Sequence, residues 1–374
     1  MRTRIPLVVA SVTLIVVAGA TPASAAAWTI VPSPTPTPGS DLNAVAVPGA
    51  GNAWAVGKNH RYGSDHQMVI EHWDGGSWTV AAAPNSRCYN EALFGVAFTS
   101  ATNGWAVGES PVSAHRPSTC GTPARRGGLV VRWNGSAWSV MDTPVPASGT
   151  ATLRSVAAAS ASDAWAVGRS AYGSPHVLHL TGGAWRTVSV PTADLAGVAV
   201  VSASDVWAVG FTTTSGGTAP AILHYNGSSW SRSSVPAGTG GLVLTAVTAV
   251  AANDVWAAGY ASVAGAIQPL ILHYNGAAWS RASLPALPNG GTGRLEGIAA
   301  RSATDVWAVG AQSVNRTLTM HYNGSAWSVV PSPNNDTTDP NDLDGVAIHR
   351  ASGENWAVGH WNGTVPSTLT MRYR

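Results

Sequence analysis

The sequence predicts an all-β fold: a seven-bladed β-propeller of four-stranded antiparallel blades, closed by its N-terminal strand. Three observations predict it. A Trp-Ala-Val-Gly phrase recurs at Trp54, Trp105, Trp165, Trp207, Trp307 and Trp356, with Trp-Ala-Ala-Gly at Trp256. A further tryptophan follows each of the first six in a hairpin phrase, at Trp78, Trp138, Trp185, Trp230, Trp279 and Trp327. The seventh copy breaks off at Tyr373-Arg374, and its missing piece stands at the other end of the chain. There, Trp28-Thr29-Ile30-Val31-Pro32-Ser33-Pro34 matches Trp327-Ser328-Val329-Val330-Pro331-Ser332-Pro333. A ring closed in this way hides the strand edges that an open array would expose.

Each repeat reads as four short strands, A to D. Strand A begins at a leucine twelve residues before the first tryptophan in six repeats (Leu42, Leu93, Leu153, Leu195, Leu244, Leu295), and thirteen before it at Leu343. A small residue follows two positions later, at Ala44, Gly95, Ser155, Gly197, Ala246, Gly297 and Gly345. Small side chains fit there because inner strands crowd near the axis. Turn chemistry such as Ser202-Ala203-Ser204-Asp205 leads into strand B at the Trp-Ala-Val-Gly phrase. Strand C is apolar, as in Ile222-Leu223-His224-Tyr225, and Asn226-Gly227 is a hairpin signal into strand D at Trp230.

A basic residue recurs on strand C (His72, Arg132, His179, His224, His273, His321, Arg372), and an acid or amide recurs two residues before the first tryptophan (Asn52, Asn103, Asp163, Asp205, Asp254, Asp305, Glu354). Repetition in every blade points to a hydrogen-bonded structural pair within each blade rather than to a metal site, since strand C lies far from the axis.

The compartment is read from the first residues. A basic head with Arg2 and Arg4, an apolar run from Ile5 to Ala18 and Ala23-Ser24-Ala25 make a secretory signal peptide over residues 1–25, with the propeller over 26–374. The run is shorter than the ~20 residues of a membrane span, so no membrane span is expected. Without Arg2 and Arg4, eighteen basic residues face eighteen acidic ones. That balance argues against nucleic acid as a partner. Export permits a disulfide between Cys88 and Cys120, worth about 3–4 kcal/mol by chain entropy. No cofactor is expected. Asp336, Asp339 and Asp342 offer oxygen ligands for calcium, but without the glycine and glutamate spacing of an EF-hand loop.

The phrases Asn103-Gly104-Trp105-Ala106-Val107-Gly108, Ile222 to Trp230 and Asp74-Gly75-Gly76-Ser77-Trp78 resemble the Asp-box repeats of sialidase-like propellers. They are most similar to the seven-bladed photosystem II assembly-factor group. The resemblance spans all seven repeats and implies the architecture. It implies little about activity, because one such repeat serves enzymes, lectins and assembly scaffolds. None of the five glutamates stands in a phrase apart from the repeat, as a sialidase insertion would.

Strand direction sorts the loops onto two faces. The A–B and C–D turns share one face and hardly vary. The B–C and D–A loops share the other, with Trp-to-Trp spacing of 20 in the third and sixth blades but 33 in the second. Variable loops on a rigid ring are where binding sites are found. Two positions vary among otherwise near-identical repeats: the residue after each Trp-Ala-Val-Gly (Lys58, Glu109, Arg169, Phe211, Tyr260, Ala311, His360) and the residue after each strand-A leucine (Asn43, Phe94, Arg154, Ala196, Thr245, Glu296, Asp344). These are expected to neighbour each other at the mouth of the central channel. Tyr62, Tyr172 and Trp361 add aromatic surface on the same face. The reading is a secreted, non-catalytic binding module, monomeric, whose partner is carbohydrate or an extracellular protein. The alternative is an extracellular hydrolase or lyase using the channel-mouth carboxylates Glu109, Glu296 and Asp344.

Overall fold

The computed structural model describes residues 26–36, 39–60, 66–85, 90–111, 127–215, 217–236, 241–263, 265–288, 291–313, 315–335 and 338–374. Seven four-stranded antiparallel sheets follow one another around a ring. Blade 4 shows the pattern, with strand A at Asp194–Ser202, B at Asp205–Thr214, C at Gly217–Tyr225 and D at Trp230–Arg232. Blade 7 takes its strands A to C from Asn341–Ile348, Asn355–Asn362 and Pro366–Tyr373, and its outer strand from Trp28–Ile30. Trp28 pairs with Tyr373 and Ile30 with Met371. The N-terminal strand therefore closes the ring as the repeat spacing requires.

One backbone irregularity recurs in every blade. The A–B register slips between the strand-A leucine and the small residue two positions on, leaving Asn43, Phe94, Arg154, Ala196, Thr245, Glu296 and Asp344 as bulge residues. A bulge leaves one residue unpaired and re-aims its side chain. It also drives the carbonyl before the leucine onto strand B. A Cβ on the Trp-Ala-Val-Gly glycine would lie 1.9 Å from the Asp194 carbonyl oxygen at Gly210, and 1.8 Å from that of Ala92 at Gly108. Only glycine allows that approach. The small residue at the third position serves the neighbouring blade, since a Cβ on Gly345 would meet Ala44 Cα at 2.9 Å.

Between blades the contact is aromatic. At six seams the strand-B tryptophan packs edge-on against the strand-D tryptophan of the next blade, as in Trp165–Trp230 (5.3 Å, 78°) and Trp207–Trp279 (5.4 Å, 76°). Such pairs contribute about 0.5–1.5 kcal/mol beyond their burial. At the closing seam Trp307 meets Trp28 at 5.3 Å and 88°, so the seam between blades 6 and 7 is built like the others. Blade 3 departs from the pattern. Its strand C carries Leu180 where blades 4 to 7 carry tyrosine, and its hairpin turns on Gly182 and Gly183, both at positive φ.

The acid–base pairs form within each blade. His224 meets Asp205 at 2.8 Å, His273 meets Asp254 at 2.8 Å and Arg372 meets Glu354 at 3.0 Å. Each histidine also stacks on its own strand-B tryptophan, His179 on Trp165 at 3.9 Å. The pair thus covers the outer end of the tryptophan, which explains its repetition.

Glu71 breaks the apolar pattern of strand C. The equivalent positions hold Val131, Leu178, Leu223, Leu272, Met320 and Met371. Glu71 is fully buried beside Ala55, and neither carboxylate oxygen has a hydrogen-bond partner. Burial pushes its pKa up to about 8.

Two outcomes are expected. Gly210→Ala places a Cβ into the Asp194 backbone, so it should cost about 3 kcal/mol or more in chemical denaturation. The second concerns Glu71, whose carboxyl ionises near its ordinary 4.5 when unfolded but keeps its proton to about 8 when folded. Its contribution to stability is full below the unfolded value and falls by about 1.4 kcal/mol per pH unit between the two. Glu71→Leu should flatten that fall, so its stability gain over the parent is larger near pH 8 than near pH 4.5. An equal gain at both pH values would contradict the assignment.

Candidate functional site

The seven bulges re-aim seven side chains to one place. All seven bulge residues line a single cavity of about 370 Å³ at the mouth of the central channel, joined there by Phe211 and Tyr260. Phe94, Ala196, Phe211 and Val243 make part of its wall apolar, while Arg154, Glu296 and Asp344 bring charge. A second cavity of about 500 Å³ shares Tyr260 and runs outward past Arg294, Asp342, Gln312 and Asn315. Asn315 is the one non-glycine residue at positive φ among those described.

Charged groups at the mouth are held in two sectors. On the blade 3 side, Arg154 and Arg169 share Asp194, at 2.7 and 3.2 Å. Nearby, Glu109 accepts a hydrogen bond from the Thr152 hydroxyl at 2.8 Å. On the side of blades 6 and 7, Arg294 reaches Glu296 at 2.7 Å and Asp342 at 3.0 Å, and His360 Nδ1 meets Asp344 at 3.0 Å. In blade 1, Lys58 and His60 both face Asp41, at 3.8 and 3.1 Å.

Burial pushes the Glu296 pKa up to about 7; Arg294 opposes the rise and the Asp344 carboxylate adds to it. Burial likewise raises Asp344, against the pull of His360. His360 itself is raised, because the Asp344 carboxylate outweighs the burial that lowers it. Burial lowers Arg154 despite its ion pair with Asp194, and burial raises Tyr260, with Glu296 adding to the rise.

The structure divides the residues singled out by the sequence. Phe94, Arg154, Phe211, Tyr260, Glu296 and Asp344 converge on the cavity. Lys58, Glu109, Arg169 and His360 stand around it, each in an ion pair or hydrogen bond. Trp361 pairs across strands with Asn341 and does not line the cavity. Tyr172 projects into solvent on its loop. Tyr62, Cys88, Cys120 and Asp336 lie outside the described residues. Asp342 ion-pairs with Arg294 rather than standing with Asp339 as an open oxygen donor.

The two variable positions do neighbour each other at the mouth, His360 meeting Asp344 at 3.0 Å, but the cross-strand partner of the residue after Trp-Ala-Val-Gly is the residue before the leucine: Asp41 with Lys58, Asp194 with Phe211, Asp342 with His360. The bulge displaces the register by that one residue. Asp41, Asp194 and Arg294 have no place in the sequence reading, and Asp342 enters it only as an oxygen donor for calcium, although their variation among the repeats is as visible as that of the bulge positions.

No family model matches the sequence, and no curated protein does. Solved structures do match. A structure of YCF48 bound to D1 peptide is 15% identical, with 92% of this chain and 96% of that one covered, at a TM-score of 0.56. The RRP9 WD40 repeats are 8% identical over 93% and 98%, at 0.60. A PL25 ulvan lyase bound to -[GlcA(1-4)Rha3S]- is 10% identical over 92% and 94%, at 0.54. The likeness is one of fold. The chain is a seven-bladed β-propeller, and these neighbours share that architecture.

The electrostatics of the mouth can be tested directly. Glu296 should titrate near 7 by carboxyl carbon NMR, and Arg294→Gln should move it higher, because the guanidinium is what restrains the rise. Titration in the ordinary carboxylate range, unaffected by the substitution, would contradict this geometry.

Proposed function

We propose that this chain is an exported, non-catalytic binding module that engages a protein or glycan partner at the channel mouth. The observation that carries the reading is the convergence of all seven bulge residues on one cavity. Blade packing demands leucine, glycine and tryptophan at fixed places, and the repeats comply. The bulge positions carry amide, phenyl, guanidinium, methyl, hydroxyl and carboxyl groups in turn. Such diversity on a repeated scaffold suits recognition of one asymmetric partner. Support also comes from the neighbours, one of which is bound to a peptide and another to a saccharide. The leader at residues 1–25 supports an extracellular setting.

A second reading has one specific observation behind it. Glu296, with a pKa near 7 beside Asp344, could act as a general acid in an extracellular hydrolase or lyase.

The two readings are separated by one set of assays. The purified chain is screened against a glycan array and a peptide library, and every hit is retested on a Phe211→Ala/Tyr260→Ala variant. A binding module at the mouth loses roughly tenfold or more of its affinity in that variant. Hits that bind the variant as well as the parent would sink the proposal. Turnover of an array saccharide that disappears in Glu296→Gln would favour the enzyme instead.

A further inference from the structure

We propose that the channel mouth receives a single basic side chain, a lysine or an arginine, projected by a partner protein. The charged end would lie between Glu296 and Asp344. This rests on the reading of the mouth as a binding site and names the chemistry it selects.

The ring itself is polar. Among the bulge residues in blade order, Arg154 is third, Glu296 sixth and Asp344 seventh. In a seven-membered ring the third position faces the gap between the sixth and seventh. On the blade 3 side Arg154 and Arg169 are matched by Asp194 and Glu109, so a cation entering the mouth is drawn toward blades 6 and 7, where acids outnumber bases. The charge count there agrees: three carboxylates (Glu296, Asp342, Asp344) surround one permanent cation, Arg294, and one titratable one, His360.

The rest of the lining favours an aliphatic stem. A neutral saccharide binds through donors and acceptors set around several of its hydroxyls. At the mouth, the Asn43 amide donates to the Leu93 carbonyl at 2.7 Å, the Thr245 hydroxyl to the Leu295 carbonyl at 2.8 Å, and the Thr152 hydroxyl to Glu109. Both hydroxyls and one N–H of the Asn43 amide are thereby engaged by the ring. Phe211 of blade 4 and Val243 and the Tyr260 ring of blade 5 lead toward Glu296 of blade 6, while Phe94 stands beyond Arg154 in blade 2. Lysine and arginine bury their methylene stems on such surfaces and keep the charge at the tip, and an aromatic face adds cation–π attraction. A volume of about 370 Å³ suits one long side chain better than a folded element.

Proton linkage gives this reading its own signature. The groups facing Glu296 are Arg294 on its own strand, Asp342, Asp344 and His360 from blade 7 and Tyr260 from blade 5, while Asp41 of blade 1 faces Asp344 and His360. An incoming cation favours ionised Glu296 and neutral His360. Both changes proceed as pH rises, so a basic side chain binds more tightly near pH 8 than near pH 6.

The test pans a random peptide phage library against the purified chain. Recovered peptides are expected to share a lysine or arginine whose replacement by norleucine weakens binding roughly tenfold or more. Glu296→Gln/Asp344→Asn should weaken the same peptides comparably. Thermal unfolding confirms that each variant folds, and Asp344→Asn alone serves if the double variant does not. Peptides that bind without a basic residue, or that ignore the acid substitutions, would overturn the inference, as would saccharides being the only occupants. In those cases sensitivity to Phe211→Ala/Tyr260→Ala still upholds the mouth as the binding site. Loss of that sensitivity as well would remove both.

Discussion

In every blade a strand-A carbonyl lies where the Cβ of the Trp-Ala-Val-Gly glycine would be, and most of the molecule follows from that approach. The carbonyl can come so close only because strand A gains one residue over strand B, and that extra residue has no partner in the ladder. The bulge lets the leucine before it and the small residue after it both keep their places between blades. It also turns the extra side chain toward the channel. One local distortion, repeated seven times, therefore yields a packed wall and a ring of side chains whose type the packing does not dictate. Glycine is required on one strand so that almost anything can be tolerated on the other.

The tryptophans supply the second requirement, which is closure. A propeller is stable when each blade finds the same surface on its neighbour, the last blade included. Trp28 gives Trp307 the edge-on contact that strand-D tryptophans give elsewhere, and Glu354 holds the Gly51 amide across the next seam at 2.7 Å. Chain ends joined in this way tie the N-terminal strand to global stability. Glu71 sits in the layer between blades 7 and 1, so the cost of its buried carboxyl falls on a ring seam rather than on a loop.

Repeat spacing made the ring legible in the sequence, because each phrase reports a contact that every blade must make. Leu195, Trp207, Gly210 and Trp230 could each be placed on a strand, and the fragment at Trp28 located the closure. The acid–base pairs were legible for the same reason. The bulge was not, since a one-residue slip between Leu195 and Gly197 leaves no mark in the letters. Its consequence is that Asp41, Asp194 and Arg294 go unmarked in the sequence beside their cross-strand partners. Glu71 was equally silent: a single glutamate on an apolar strand reads as an exposed side chain until the neighbouring blade is set against it. Repetition reveals what the blades share, whereas the site is made of what they do not.

The central claim is that folding and recognition occupy different residues of the same strand. It is tested most directly by a saturation mutagenesis scan of the seven strand A segments, with protease resistance and partner binding read separately. The account predicts that leucines such as Leu195 tolerate almost nothing in the protease reading. The adjacent bulge residues, from Asn43 to Asp344, should tolerate most polar and apolar replacements for folding yet lose binding. Bulge residues as intolerant as the leucines in the protease reading would contradict it.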